Sequence, residues 1–158
     1  MSNGKTLLTV ILFSVFVSGC APTILNIGLI EAGRINAIEE FYIDNYKMRL
    51  RIIPIGNDEY ICSFLLSDKN DGTPIKDVKS VMDIKMYSNY PKTHYRHRHE
   101  KKTIFSGLEP IVDSASNDYD YKYKLTGKGK YELTIKLNEV AGKELDKEIY
   151  ISFDQEAK

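Results

Sequence analysis

Residues 119–137 read YDYKYKLTGKGKYELTIKL, and this stretch decides the fold. Before the glycines, tyrosines alternate with charged residues, and after them apolar residues alternate with polar ones. The inward members of this pattern are Tyr119, Tyr121, Tyr123, Leu125, Tyr131, Leu133, Ile135 and Leu137. A period of two predicts strands that turn one face inward. Glycine tolerates the positive φ of a tight turn, so Gly127-Lys128-Gly129-Lys130 predicts the connection between the two strands.

The same alternation recurs in residues 48–52, 82–86 and 149–153. Turn residues separate these runs, at 56–58 and again at 70–74, where Asn, Asp, Gly and Pro cluster. Such spacing predicts a mainly β domain over residues 45–158, a β-sandwich of about seven strands. A closed barrel is the alternative.

The first 20 residues have the three parts of an export signal. Lys5 precedes an apolar run over residues 7–17, which is shorter than the roughly 20 residues of a transmembrane helix. Val17-Ser18-Gly19-Cys20 follows and resembles the lipobox of bacterial lipoproteins. The resemblance implies that residues 1–19 are a cleaved signal peptide and that Cys20 carries lipid, the one non-protein group expected. An ordinary secretory signal is the alternative.

The segment after the cleavage site, residues 20–44, is unusually apolar for a tether. Ile35, Ile38 and Phe41 fit a short amphipathic helix, while residues 41–43 fit equally well the start of a strand. The apolar side chains predict packing, either on the domain itself or on a partner protein or lipid surface. Ala21 replaces the aspartate that retains lipoproteins in the cytoplasmic membrane, which favours the outer membrane.

Charge and cysteine content exclude two classes of protein. Lysines and arginines number 22, as do aspartates and glutamates, so no net field draws the chain to nucleic acid. Cys62 is the only cysteine besides Cys20, so no internal disulfide is expected once Cys20 carries lipid. Because Cys62 lies in an apolar run, we expect it to fill the core; a reactive or metal-bound thiol is the alternative.

One polar cluster, in residues 91–102, contains every histidine of the chain. The histidines are His94, His97 and His99, and the cations around them are Lys92, Arg96, Arg98, Lys101 and Lys102. Neutral imidazoles bind copper and zinc, which makes a metal site one hypothesis. The cations favour contact with an anionic surface such as lipid headgroups, and a solvated loop or strand end is the third interpretation.

Marks of catalysis are absent from the sequence. It contains no G-x-S-x-G elbow and no H-E-x-x-H motif, so we expect a protein without catalytic residues. The tyrosines at 119, 121 and 123 fit either a stacking platform for a ligand or an ordinary sandwich core.

From residue 60 to residue 154 the order of features resembles the YtkA and FixH type of bacterial envelope domain. The similar stretches are residues 72–78, residues 82–86 followed by a histidine-bearing segment, and residues 129–133. The resemblance implies an immunoglobulin-like sandwich. It also implies a role in copper binding for His94, His97, His99 and Met86.

The sequence thus predicts a lipoprotein of the bacterial cell envelope that acts without catalysis. We expect a binding or accessory module of a larger envelope assembly, with the membrane and a protein as partners. A periplasmic copper or zinc carrier that uses His94, His97 and His99 is the alternative.

Overall fold

The computed structural model of the protein describes residues 21–30, 32, 39–88 and 100–157. These residues form ten β-strands and contain no α-helix. The strands are β1 Thr23–Leu29, β2 Glu39–Ile43, β3 Tyr46–Gly56, β4 Glu59–Asp68, β5 Lys79–Tyr87, β6 Lys101–Leu108, β7 Ile111–Asp113, β8 Asp118–Lys124, β9 Gly129–Val140 and β10 Lys143–Ala157. The mainly β fold is confirmed, with ten strands where about seven were predicted.

The strands form two five-stranded sheets that pack as a sandwich. The first sheet has the order β1-β10-β9-β5-β6, and the second has the order β2-β3-β4-β8-β7. All neighbours are antiparallel except β1, which runs parallel to β10. Two open sheets with edge strands replace the closed barrel that was the alternative.

The core lies between the sheets and contains the inward members of the alternating pattern. Tyr119, Tyr121 and Tyr123 are buried on β8, which confirms their assignment to the core. Their hydroxyls are satisfied inside the sandwich. Tyr121 donates to Ser80 Oγ at 2.7 Å, Tyr123 donates to Gln155 Oε1 at 2.6 Å, and Tyr119 accepts from the Val78 N–H at 3.0 Å. Buried phenols are tolerated because each finds such a partner.

The segment after Cys20 contributes an edge strand to each sheet. On β1, Leu25 and Ile27 pack against the core, and Ile30 just after it is buried. For these residues, the prediction of packing on the domain itself is confirmed. Phe41 lies on β2 and packs on the same core. The other residues of the predicted helix, 35–38, lie outside the described residues.

Two ends of the sandwich can be told apart by the strands that begin or end there. We call the end where β1 begins the proximal end; it carries the β9–β10 turn at Ala141 and Gly142. We call the opposite end, where β5 ends and β6 begins, the distal end; it carries the β3–β4 turn. That turn is held by Asn57 and Asp58, which both have positive φ. The proximal end is therefore next to Cys20 in sequence, and the distal end carries the strand ends that flank the histidine-bearing segment.

Candidate functional site

Most of the predicted site residues lie outside the described residues. These are Cys20, Lys92, His94, Arg96, His97, Arg98 and His99. Lys101 and Lys102 lie on β6, at the edge of the first sheet. The residues that flank the histidine-bearing segment are joined, since the Ser88 N–H and hydroxyl donate to the Glu100 carbonyl at 3.0 and 2.8 Å. Ser88 and Glu100, the residues on either side of the segment, therefore lie next to each other at the distal end.

A network of charged side chains surrounds Tyr87 on the outer face of the first sheet at this end. The ring of Tyr87 lies 4.8 Å from Lys101 Nζ and 5.1 Å from Lys130 Nζ, measured to the ring centroid. Its hydroxyl donates to Asp154 Oδ1 at 2.8 Å. Ammonium groups are attracted to the negative face of an aromatic ring. Tyr87 therefore holds two lysines from different strands beside one another.

Carboxylates complete the network. Asp154 Oδ2 accepts from Lys130 Nζ at 2.9 Å, and Glu132 is paired with Lys101. Partial burial, together with the hydrogen bond to Asp154, raises the pKa of the Tyr87 phenol well above its usual value. The phenol therefore stays protonated and acts as a fixed donor rather than as an acid or base. The network therefore fixes the positions of the Lys101 and Lys130 ammonium groups on the outer face of the sheet.

A shallow depression lies on the outer face of the second sheet. Its lining residues are Arg49, Leu50, Arg51, Ser63, Leu65 and Asp118. Arg51 Nη2 reaches Asp118 Oδ2 at 3.3 Å and covers Ser63, which is only 2% exposed. Asp120, which lies directly opposite Ser63, has one buried oxygen, Oδ1, that lacks a hydrogen-bond partner among the described residues.

Cys62 lies on β4 and faces the core. The residue has no exposed surface, and burial raises the pKa of its thiol far above the usual value. The thiolate is the reactive form of cysteine, so this thiol is inert in the folded protein. The prediction that Cys62 fills the core is confirmed.

The described residues contain neither a metal-binding cluster nor a membrane-spanning helix. No three His, Cys, Asp or Glu side chains among residues 21–30, 32, 39–88 and 100–157 lie close enough together to hold a metal ion. Within the same ranges, no helix has both the length and the apolar character needed to cross a membrane.

Sequence reasoning missed the Tyr87 network, although Lys101 was singled out as a possible contact to an anionic surface. Alternation in the sequence is enough to place Lys130 and Glu132 on the outer face of β9. The contacts to Tyr87 and Asp154 depend on the register of β5, β6, β9 and β10. Register between strands that are distant in sequence leaves no local signal.

Comparison with known proteins supports the fold. No family model matches the chain, and no curated protein matches it. A crystal structure of a DUF4426 family protein from Pseudomonas aeruginosa is similar, with a TM-score of 0.54 and 11% identity, over 75% of this chain and 96% of that one. FetP of uropathogenic Escherichia coli is similar with a TM-score of 0.52 and 13% identity, over 77% of this chain and 93% of that one. At such identities the likeness establishes the β-sandwich fold alone.

Proposed function

We propose that this chain is a lipid-anchored module of the bacterial cell envelope that binds a protein partner and has no catalytic role. The observation that carries the proposal is the position of β1. This strand begins at Thr23, three residues after Cys20, and pairs with β10 over its whole length. Lipid on Cys20 would therefore hold the sheet itself, with almost no tether, at the membrane.

We also propose that the sandwich is immunoglobulin-like. In that fold one sheet has the strand order A-B-E-D, and the other contains G-F-C with C′ added in variable-type domains. The order β3-β4-β8-β7 fits the first pattern and β10-β9-β5-β6 fits the second. β1 and β2 then extend these sheets at one side.

The location in the envelope rests on two supports. The first is the lipobox-like Val17-Ser18-Gly19-Cys20, with Ala21 favouring the outer membrane. The second is weaker: the similar FetP protein was recombinantly expressed in the periplasm.

Fatty-acid labelling of cells tests the anchor. Cells that express the full chain are fed an alkyne fatty acid, and we expect the protein to be labelled and to partition into detergent. Cys20→Ser should abolish both properties. Cys62→Ala is the matched control and should keep them, because Cys62 is buried in the core. An unlabelled wild-type chain would disprove the anchor.

Extraction in mild detergent tests the partner. We expect the native protein to migrate as a complex larger than one copy of the cleaved chain in its micelle, and the associated protein to be recovered in fixed ratio. Recovery of the chain alone under conditions that preserve other envelope complexes would count against a binding module.

A copper or zinc carrier is the second candidate. What favours it is that both flanks of the histidine-bearing segment leave the distal end, where Met86 lies on β5. Met86 faces the sandwich interior and packs against the core, so His94, His97 and His99 would supply most of the ligands. Titration with Cu(I) or Zn²⁺ tests this function. Affinity unchanged by alanine at all three histidines would remove it.

A further inference from the structure

Two large apolar side chains are exposed on β1, the strand that follows the proposed anchor. Ile24 is 68% exposed and Leu29 is 51% exposed. Both lie on the outer face of the first sheet, opposite the outward residues Tyr150 and Asp154 of β10. Because these partners are four residues apart, Ile24 and Leu29 are separated by about 13 Å along the strand, at about 3.3 Å per residue. The edge of the sheet therefore presents two apolar points in line with the anchor.

A β-bulge is what turns Leu29 outward. The register with β10 shifts between Asn26 and Gly28, where Gly28 has a φ of 88° and its N–H donates to Asn26 Oδ1 at 3.2 Å. Ile27 packs against the core, so uninterrupted alternation would place Leu29 on the inner face as well. A bulge adds one residue and redirects the side chains that follow it. As a result Leu29 is exposed, and Ile30 is buried in its place.

The short connection to Cys20 limits where the bilayer can lie. Ile24 follows Cys20 by four residues. At no more than about 3.6 Å per residue, Ile24 lies within roughly 14 Å of the lipid-bearing residue. A bilayer that holds the lipid is therefore within reach of Ile24 in every orientation of the domain. It reaches Leu29 only if β1 lies along the membrane surface, so Leu29 distinguishes a domain that lies on this edge from one that stands on its proximal end.

The surroundings of the two side chains suit lipid headgroups. Tyr150 has an amphipathic ring beside Ile24, and such rings favour the boundary between apolar and aqueous surroundings. The nearby charges on the outer face are paired, Lys136 with Glu148 at 2.5 Å and Lys130 with Asp154 at 2.9 Å. Paired charges neither attract nor repel a bilayer strongly. Contact at this edge is therefore apolar in character.

We propose that the β1 edge lies on the bilayer that holds Cys20, with the side chains of Ile24 and Leu29 inserted between the lipid headgroups. The inference rests on the proposed lipid anchor. No described strand pairs with the outer side of β1, so its backbone N–H and C=O groups on that side need polar partners. Headgroups and their water supply these partners, which keeps the strand itself at headgroup level.

This orientation also determines which surfaces remain free for a protein partner. β6 and β7 are the far edges of the two sheets, each four strand spacings, or roughly 19 Å, from the opposite edge of its own sheet. Both face away from the bilayer when the domain lies on β1. Ile111 on β7 is 67% exposed, almost the same as Ile24, and therefore provides a matched control at the far side.

Single tryptophans test the orientation, because the chain contains none of its own. The lipidated protein is reconstituted in phosphatidylcholine vesicles in which part of the lipid carries bromine near the headgroup end of its acyl chains. Bromine quenches tryptophan that enters this layer. We expect Leu29→Trp to be quenched about threefold more strongly than Ile111→Trp, and Ile24→Trp to be quenched at least as strongly as Leu29→Trp. All three positions are exposed, and urea unfolding checks that each variant keeps the fold.

The outcomes separate the orientation from the anchor. Quenching in Ile24→Trp without quenching in Leu29→Trp would show a domain that stands on its proximal end, which overturns the proposal. A blue-shifted emission of Leu29→Trp that bromine does not quench would show that protein covers this edge, such as a second copy, and would overturn it too. Quenching should persist at about 1 M salt, where ionic screening acts over about 3 Å, and its loss would refute an apolar contact. A chain that does not float with the vesicles lacks the anchor itself.

Discussion

Tyr121 in the core and Tyr87 on the outer face make the same kind of hydrogen bond in two different surroundings. Tyr121 donates to Ser80 between the sheets, and Tyr87 donates to Asp154 beside water and two lysines. Burial raises the pKa of both phenols. If a protein partner is removed, water can bond to the remaining polar group on the outer face, but no water reaches such a group in the core. The contribution of a hydrogen bond to the free energy of unfolding therefore depends on whether its groups are buried.

The largest expected effect comes from removing a core ring altogether. Tyr121→Ala deletes a fully buried side chain that stacks on Phe64 with centroids 6.0 Å apart. Loss of the buried area and the cavity left behind should cost about 3–5 kcal/mol of the free energy of unfolding, measured by urea denaturation. Tyr42→Ala, at a tyrosine that is 56% exposed, should change it by less than about 0.5 kcal/mol. Similar losses of unfolding free energy at both positions would contradict the larger role of the buried ring.

A double-mutant cycle on Tyr123 and Gln155 measures how much unfolding free energy is lost when a buried polar group lacks a hydrogen-bond partner. Gln155 is fully buried, its Oε1 accepts from Tyr123, and its Nε2 has no partner in the part of the chain that the structure describes. Tyr123→Phe leaves both ends of the amide unpartnered and should cost about 1–3 kcal/mol. Adding Gln155→Leu removes the amide and should restore most of that stability. The measurement is urea unfolding of the four proteins, and additive effects of the two substitutions would contradict the interpretation.

Alternation predicted which side chains of β8 and β9 would face inward, and the structure confirms it. Alternation could not predict the partners of those side chains. Gln155 follows Ile151 and Phe153 in the inward register of β10, and a polar residue at such a position gives no sign of what it will meet. Its partner, Tyr123, lies on the other sheet, so the contact depends on how the two sheets pack.

The strands that sequence reasoning missed lie at the edges of the sheets. β1 is apolar on both faces, β6 is exposed along most of its length, and β7 has only three residues. None of them shows in its sequence the apolar and polar alternation of a half-buried strand. β2 was weighed only as a possible strand start against a helix.

The candidate site was less predictable than the fold. Lys101 and Lys102 were singled out from the sequence with the residues of segment 89–99, which lies outside the described residues. Lys128 and Lys130 were read only as part of a turn. Lys130 lies beside Lys101, over the ring of Tyr87, because β5 pairs with both β6 and β9, a contact across more than forty residues of sequence.

A smaller effect is expected at Tyr87, on the outer face of the first sheet. Tyr87→Phe keeps the ring between Lys101 and Lys130 and removes the hydroxyl that donates to Asp154, which still accepts from Lys130. Water replaces the lost donor, so the free energy of unfolding should fall by no more than about 0.5 kcal/mol. Tyr121→Phe, the matched core substitution, should cost about 1–2 kcal/mol because the Ser80 hydroxyl is left buried. Equal losses in urea unfolding would show that burial does not set the value of these bonds.

The smallest effect is expected at a fully exposed charge, and it should depend on pH. Asp71 accepts from the Thr73 N–H at 2.8 Å, and this bond lowers the pKa of its carboxyl from the usual value of 3.8. A pKa that is lower in the folded state than in the unfolded state gives stability that is complete above pH about 4 and is lost as the pH falls through the folded value. Asp71→Asn keeps an oxygen that can accept the bond but removes the charge. The urea midpoints of wild type and variant should therefore differ slightly at neutral pH and converge in acid. A difference that stays constant from neutral pH into strong acid would show that the carboxylate charge plays no part in holding this turn.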